Sequence, residues 1–136
     1  MISKKAKYAF KALSILAKNY EANKPMLISD IAENGNIPKK FLETILLELK
    51  KNGVLLSQKG KGGGYLLRSE PKEVNLAKII RIIDGPIAPV LCVSLNYYGK
   101  CDDCTSEEKC KIRPIMIKLR DANLAVYENS TLQDLL

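Results

Sequence analysis

Residues Ser29–Arg68 read SDIAENGNIPKKFLETILLELKKNGVLLSQKGKGGGYLLR, and this stretch decides the fold. Ser29 or Asp30 is placed to cap a short helix running to about Asn34, with Gly35 as its stop. Ile37-Pro38 restarts the chain, and proline suits a first helical turn. From there Phe41, Leu42, Ile45, Leu46 and Leu49 recur at helical spacing as one apolar stripe, ended by Asn52-Gly53. Two helices joined by a short glycine-containing turn make a helix-turn-helix. Val54–Ser57 and Tyr65–Arg68 then read as two strands around the basic, glycine-rich tip Lys59–Gly64. A hairpin directly after a recognition helix is a wing. The expected fold is therefore mainly α with a small β-hairpin wing, a winged helix-turn-helix.

The flanking sequence extends this reading. Residues 4–19 carry Ala6, Ala9, Phe10, Leu13, Leu16 and Ala17 on one helical face, with lysines 4, 5, 7, 11 and 18 on the rest. Asn75 is placed to cap a helix from Leu76 to Asp84. Residues 86–110 lack periodicity and read as a loop. Ile112 to about Glu128 returns to helix, with Ile115, Ile117, Leu119, Leu124 and Val126 as apolar positions. Thr131 caps a final turn, Leu132–Leu136. The expected division is a DNA-binding domain over 1–72 and a sensor loop with dimerisation helices over 73–136.

Charge divides at the same place. The net charge is +7, with 22 Lys+Arg against 15 Asp+Glu, and the surplus lies entirely in residues 1–72. A basic half points to a polyanion such as nucleic acid; the plain alternative is a solubilising lysine surface. The major groove admits one α-helix. The helix after Pro38 commits its apolar face to the core and offers Lys39, Lys40, Glu43 and Thr44 from its first two turns, the part that meets base edges when a recognition helix docks end-on. In the wing, Lys59 and Lys61 supply charge, Gly62 and Gly63 let backbone approach a phosphate or enter a groove, and Tyr65 follows. No window of 18 apolar residues and no signal-peptide core are found, so the expected location is the cytoplasm. Tyr65 replaces the last glycine of a dinucleotide fingerprint, and no Gly-Lys-Ser/Thr phosphate loop occurs.

All 4 cysteines fall in the aperiodic loop, as Cys92, Cys101, Cys104 and Cys110, and there are 0 histidines. Clustered cysteines in a reducing compartment are metal ligands or redox sensors more often than disulfides. Thiolates suit both iron–sulfur clusters and zinc. Three readings stay open: a 2Fe-2S or 4Fe-4S cluster, a tetrahedral zinc site, or metal-free redox thiols. Asp102, Asp103, Glu107 and Glu108 surround the thiols and work against a simple reactive thiolate. Cys101-x-x-Cys104 lacks the strand–helix setting and basic surroundings of a disulfide-exchange enzyme, so no enzyme is expected.

Several motifs together carry a family likeness. Lys7-Tyr8-Ala9, Ile31, Phe41-Leu42-Glu43, Lys50-Lys51-Asn52-Gly53, Gly60-Lys61-Gly62-Gly63-Gly64-Tyr65-Leu66-Leu67 and the closing Thr131–Leu135 resemble the Rrf family of winged-helix transcription regulators (IscR/NsrR/CymR-like). The likeness spans nearly the whole chain. It implies a homodimer that binds a pseudo-palindromic double-stranded DNA operator, with the long C-terminal helix packed across the two-fold axis through Ile115, Leu119 and Val126. It also implies base or groove contacts by Lys40, Glu43, Thr44 and Lys59. Cluster-binding members carry three cysteines in this loop. Their fourth ligand is a histidine just after the last cysteine or a carboxylate on the first helix of the partner protomer; Arg113 and Lys7 stand at those positions here. Neither family ligand is therefore present, and two arrangements stay open in which the extra cysteine replaces it: all four thiols on one iron–sulfur cluster, or a tetrahedral zinc site. The rival from another class is a metal-stabilised module that binds protein through its winged helix.

Overall fold

The computed structural model describes residues 2–136. Helix α1 spans Lys4–Lys18. It starts where Ser3 Oγ accepts from the Ala6 N–H at 3.0 Å, while the Ser3 N–H donates to Asp84 at 3.1 Å. Four of its buried residues are alanines, Ala6, Ala9, Ala12 and Ala17. Small side chains let neighbouring helices approach closely on several sides of one helix.

Helix α2 spans Ile28–Gly35 and differs from the sequence expectation at both ends. No side chain caps it, and Ser29 and Asp30 lie exposed within its first turn. Its start is set from outside. Met26 pairs with Tyr65 through two backbone hydrogen bonds of 2.8 Å, which fixes the entry angle without a cap. At the other end Asn36, not Gly35, takes the left-handed conformation, at φ 50°. Asparagine tolerates it by local hydrogen bonding. Gly35 instead leaves room for a neighbouring side chain, since a Cβ there would lie 2.8 Å from Ile37 Cδ1, which would have to shift.

Helix α3, Lys39–Lys51, begins just after Pro38 and buries Leu42, Ile45, Leu46 and Leu49. Phe41, read as part of that stripe, is 41% exposed. Strands β1, Leu55–Gln58, and β2, Gly64–Leu67, pair antiparallel with Leu55 opposite Leu67 and Gln58 opposite Gly64. The hairpin is slid one residue toward its tip relative to the expected strands. The tip then closes through the Gly63 N–H to the Gly60 carbonyl, at 3.0 Å.

Helix α4, Leu76–Ile83, is capped by Asn75 Oδ1, which accepts from the Ala77 and Lys78 N–H groups. Its buried Leu76, Ile79, Ile80 and Ile83 join the same core as α1 and α3. Helix α5, Arg113–Glu128, buries only Leu124. The chain after it returns to α4: the Leu76 N–H donates to Ser130 and the Leu132 N–H to Val74, each at 3.0 Å. Thr131 and Asp134 form a capping box over a last turn, Leu132–Leu135. The molecule is thus a mainly helical winged helix with a two-stranded wing and a long C-terminal helix. Among the described residues no helix is long and apolar enough to cross a membrane.

Candidate functional site

Two surfaces carry the candidate residues. The first is the exposed side of α3 with the wing beside it. Lys39, Lys40, Glu43 and Thr44 are all exposed, as the stripe below them requires. In the wing Lys59, Lys61 and Gly62 are exposed at the tip. Gly63 is buried, and Tyr65 is half-buried against the core. Tyr65 therefore stands at the base of the wing, where its backbone makes the bridge to Met26. Gly64 allows that bridge: with φ 138°, its missing Cβ would fall 2.1 Å from the Met26 carbonyl oxygen. The bridge fixes the wing to the entrance of the helix-turn-helix.

The second surface is a cavity of about 290 Å³ at the start of α5. Cys92, Cys101, Cys104 and Cys110 all line it. Cys92 is buried, Cys104 and Cys110 are half-buried, and Cys101 is exposed; all four are free thiols. The surrounding loop buries Ile87, Cys92 and Val93. Polar bonds add to that anchor: Arg120 Nη1 donates to the Val93 carbonyl at 2.9 Å, and Arg113 Nη2 to the Cys92 carbonyl at 3.4 Å. The Tyr98 hydroxyl donates to Glu107, which raises its pKa above the ordinary tyrosine value. The Cys101 thiol is also raised, first by desolvation and then by the neighbouring Cys92, Asp103 and Cys104. Raised values disfavour free thiolate in the absence of a cation. Among the described residues no three Cys, Asp or Glu side chains converge to hold a single metal ion.

Arg113 also lines this cavity, with its buried Nε lacking a partner. Sequence reading placed Arg113 only as a missing histidine. It did not foresee the guanidinium beside the thiols or Arg120 under the loop, because arginines on an amphipathic helix read as solvated.

Residues 2–136 match the family described as Rrf2, iron-dependent transcriptional regulator. The chain belongs to the Rrf2 family. An rrf2-like HTH-type transcriptional regulator of Rhodobacter capsulatus is 43% identical over the whole of this chain and 92% of its own length. The HTH-type regulator CymR of Bacillus subtilis is 32% identical, covering 98% of this chain and 88% of that one. The solved structure of CymR, described as the global cysteine regulator of B. subtilis, superimposes with a TM-score of 0.79 over 99% of this chain and 95% of its own. The T. potens IscR structure gives 0.74 at 25% identity, covering 99% and 85%. This Rrf2 protein is accordingly a DNA-binding transcriptional regulator and not an enzyme. The winged-helix expectation from the sequence holds.

Proposed function

We propose that this Rrf2 protein is a homodimeric repressor whose operator affinity is set by an iron–sulfur cluster on Cys92, Cys101, Cys104 and Cys110. The observation that carries this is the lining of one cavity by all four thiols. The match to a family described as iron-dependent supports iron over zinc at these thiols. When bound, the cluster supplies a centre sensitive to oxidants and iron supply. The chain's own part is to hold and insulate it. Cys92 anchors the buried wall, Arg113 offsets the negative charge of the thiolates, and Tyr98 ties Glu107 down at the rim.

Residues 1–72 serve as the DNA-binding domain and residues 73–136 as the sensor and dimerisation part, working in the reducing cytoplasm. Lys39, Lys40, Glu43 and Thr44 read the major groove, and Lys59, Lys61, Gly62, Gly63 and Tyr65 form or support the wing contact. Dimerisation through α5 is supported by Ile115, Leu119 and Val126, which are 55%, 46% and 66% exposed along it. The loop lies between the DNA-binding head and that helix, so its ordering sets the spacing of the two recognition helices.

Anaerobic purification, with an absorption spectrum and iron and sulfide analysis, tests the cluster. Brown protein with acid-labile sulfide is expected, and Cys104→Ala loses the visible absorption and the iron together. Operator affinity that is identical with and without cluster overturns the coupling. A second reading rests on the Cys101 and Cys92 thiols lying free in one cavity. In it the pair loses two electrons and two protons to a peroxide and forms a disulfide. That reading requires colourless protein whose DNA affinity changes with peroxide and recovers with a thiol reductant.

A further inference from the structure

Helix α1 carries an unbalanced charge. Lys4, Lys5, Lys7, Lys11 and Lys18 lie on it, and it contains no acid. Only Lys5 is spoken for, by Glu48 at 2.8 Å. Lys4 and Lys11 are exposed and have no carboxylate within bridging distance among the described residues. Their ammonium groups sit 5.9 and 5.8 Å from the centre of the same ring, that of Tyr8. Residues 4, 8 and 11 share one face of a helix. The ring thus lies between two cations whose residues are about 10 Å apart along the helix axis.

The same ring leads to the recognition helix. Tyr8 meets Phe41 edge-on, with centroids 5.4 Å apart. Phe41 is in the first turn of α3, next to Lys40, and is 41% exposed. The Lys5–Glu48 pair makes a second tie between the two helices, three residues away on α1 and seven on α3. Together these contacts lay α1 along the flank of α3 that borders Thr44. The lysine line is therefore continuous with the face that enters the groove.

We propose that Lys4 and Lys11, set on the Tyr8 ring, form a second contact with the same DNA duplex. They grip the sugar-phosphate backbone beside the groove that α3 occupies. Charge complementarity and continuity with the recognition face identify the occupant. The contact carries no base information, since phosphates are the same at every step. It strengthens operator and random-sequence binding alike, and Tyr8 is a positioning residue whose quadrupole steadies both cations. This inference rests on the DNA-binding reading of α3 but not on any cluster.

The test measures affinity for a mixed-sequence duplex of roughly 30 base pairs across a salt series, because each phosphate contact contributes about 0.9 to the slope of log K against log salt. The double change Lys4→Gln and Lys11→Gln is expected to flatten that slope by about 2 per engaged protomer. A fourfold rise in salt then costs the variant about tenfold less affinity than it costs the parent for each engaged protomer. The control Lys18→Gln with Lys24→Gln leaves the slope within experimental scatter, and circular dichroism shows both variants folded. Tyr8→Leu produces a smaller change in the same direction. A slope in the Lys4/Lys11 variant equal to that of the control overturns the proposal while leaving α3 and the wing as the DNA contact. No salt-dependent binding by the unaltered protein overturns both readings at once.

Discussion

The two halves of the molecule are held together by different physics. The winged helix is packed from within: Leu42, Ile45, Leu46 and Leu49 of α3 meet Ala9, Leu13 and Leu16 of α1 in a core that continues to α4. The segment between α4 and α5 has one 3-10 turn, Leu91–Val93, buries only Ile87, Cys92 and Val93 of its apolar residues, and is tied by side chains reaching in from α5. Leu91, Leu95, Tyr97 and Tyr98 in this loop remain exposed. A packed core has one stable arrangement, whereas a segment pinned by polar bonds can change with what sits in its cavity. The winged helix is therefore the constant part of the molecule, and the segment between α4 and α5 the part with fewer contacts to resist rearrangement.

Three substitutions sharpen or break this contrast. The largest effect is expected for Leu46→Ala, which opens a void in the fully buried core. It costs about 2–5 kcal/mol, seen as a fall in denaturant midpoint. An unchanged midpoint would mean that α3 is not held by its apolar stripe. Next is Arg120→Leu, which removes the donor to the Val93 carbonyl. The loss of this charge-assisted bond costs about 1.5–3 kcal/mol locally. Hydrogen exchange should accelerate across residues 91–99 and stay constant in α1 and α3. Acceleration spread evenly over both halves would remove the distinction between them. The smallest effect belongs to Leu95→Ala, at a site 66% exposed. Its effect on thermal stability should stay within about 0.5 kcal/mol when measured on dilute protein. A cost comparable with Leu46→Ala would show that the loop hides a core of its own.

The sequence is most readable where one rule acts alone. Asn75 and Thr131 cap as their positions suggest, and the stripe of α3 reads directly from its spacing. Misplacement occurs where a distant partner overrides the local signal. Ser29 and Asp30 look like caps, but the Met26–Tyr65 pairing starts α2 earlier. Phe41 matches the apolar period, yet it lies at the edge of the stripe and finds Tyr8 instead. The cysteine spacing announces a site. It does not disclose that Arg113 faces the same cavity, because nothing local distinguishes that arginine from one in water.

The small bridge between Met26 and Tyr65 has a consequence for engineering. It staples the root of the hairpin to the doorway of the helix pair, so α3 and the wing turn as one rigid unit. A chimera meant to exchange operator preference with a relative has to be spliced before Met26 and after Leu67. A graft of α3 alone would set a foreign reader in a frame cut for another. By the same logic, any rotation imposed on α3 carries the wing with it, as a key carries its teeth.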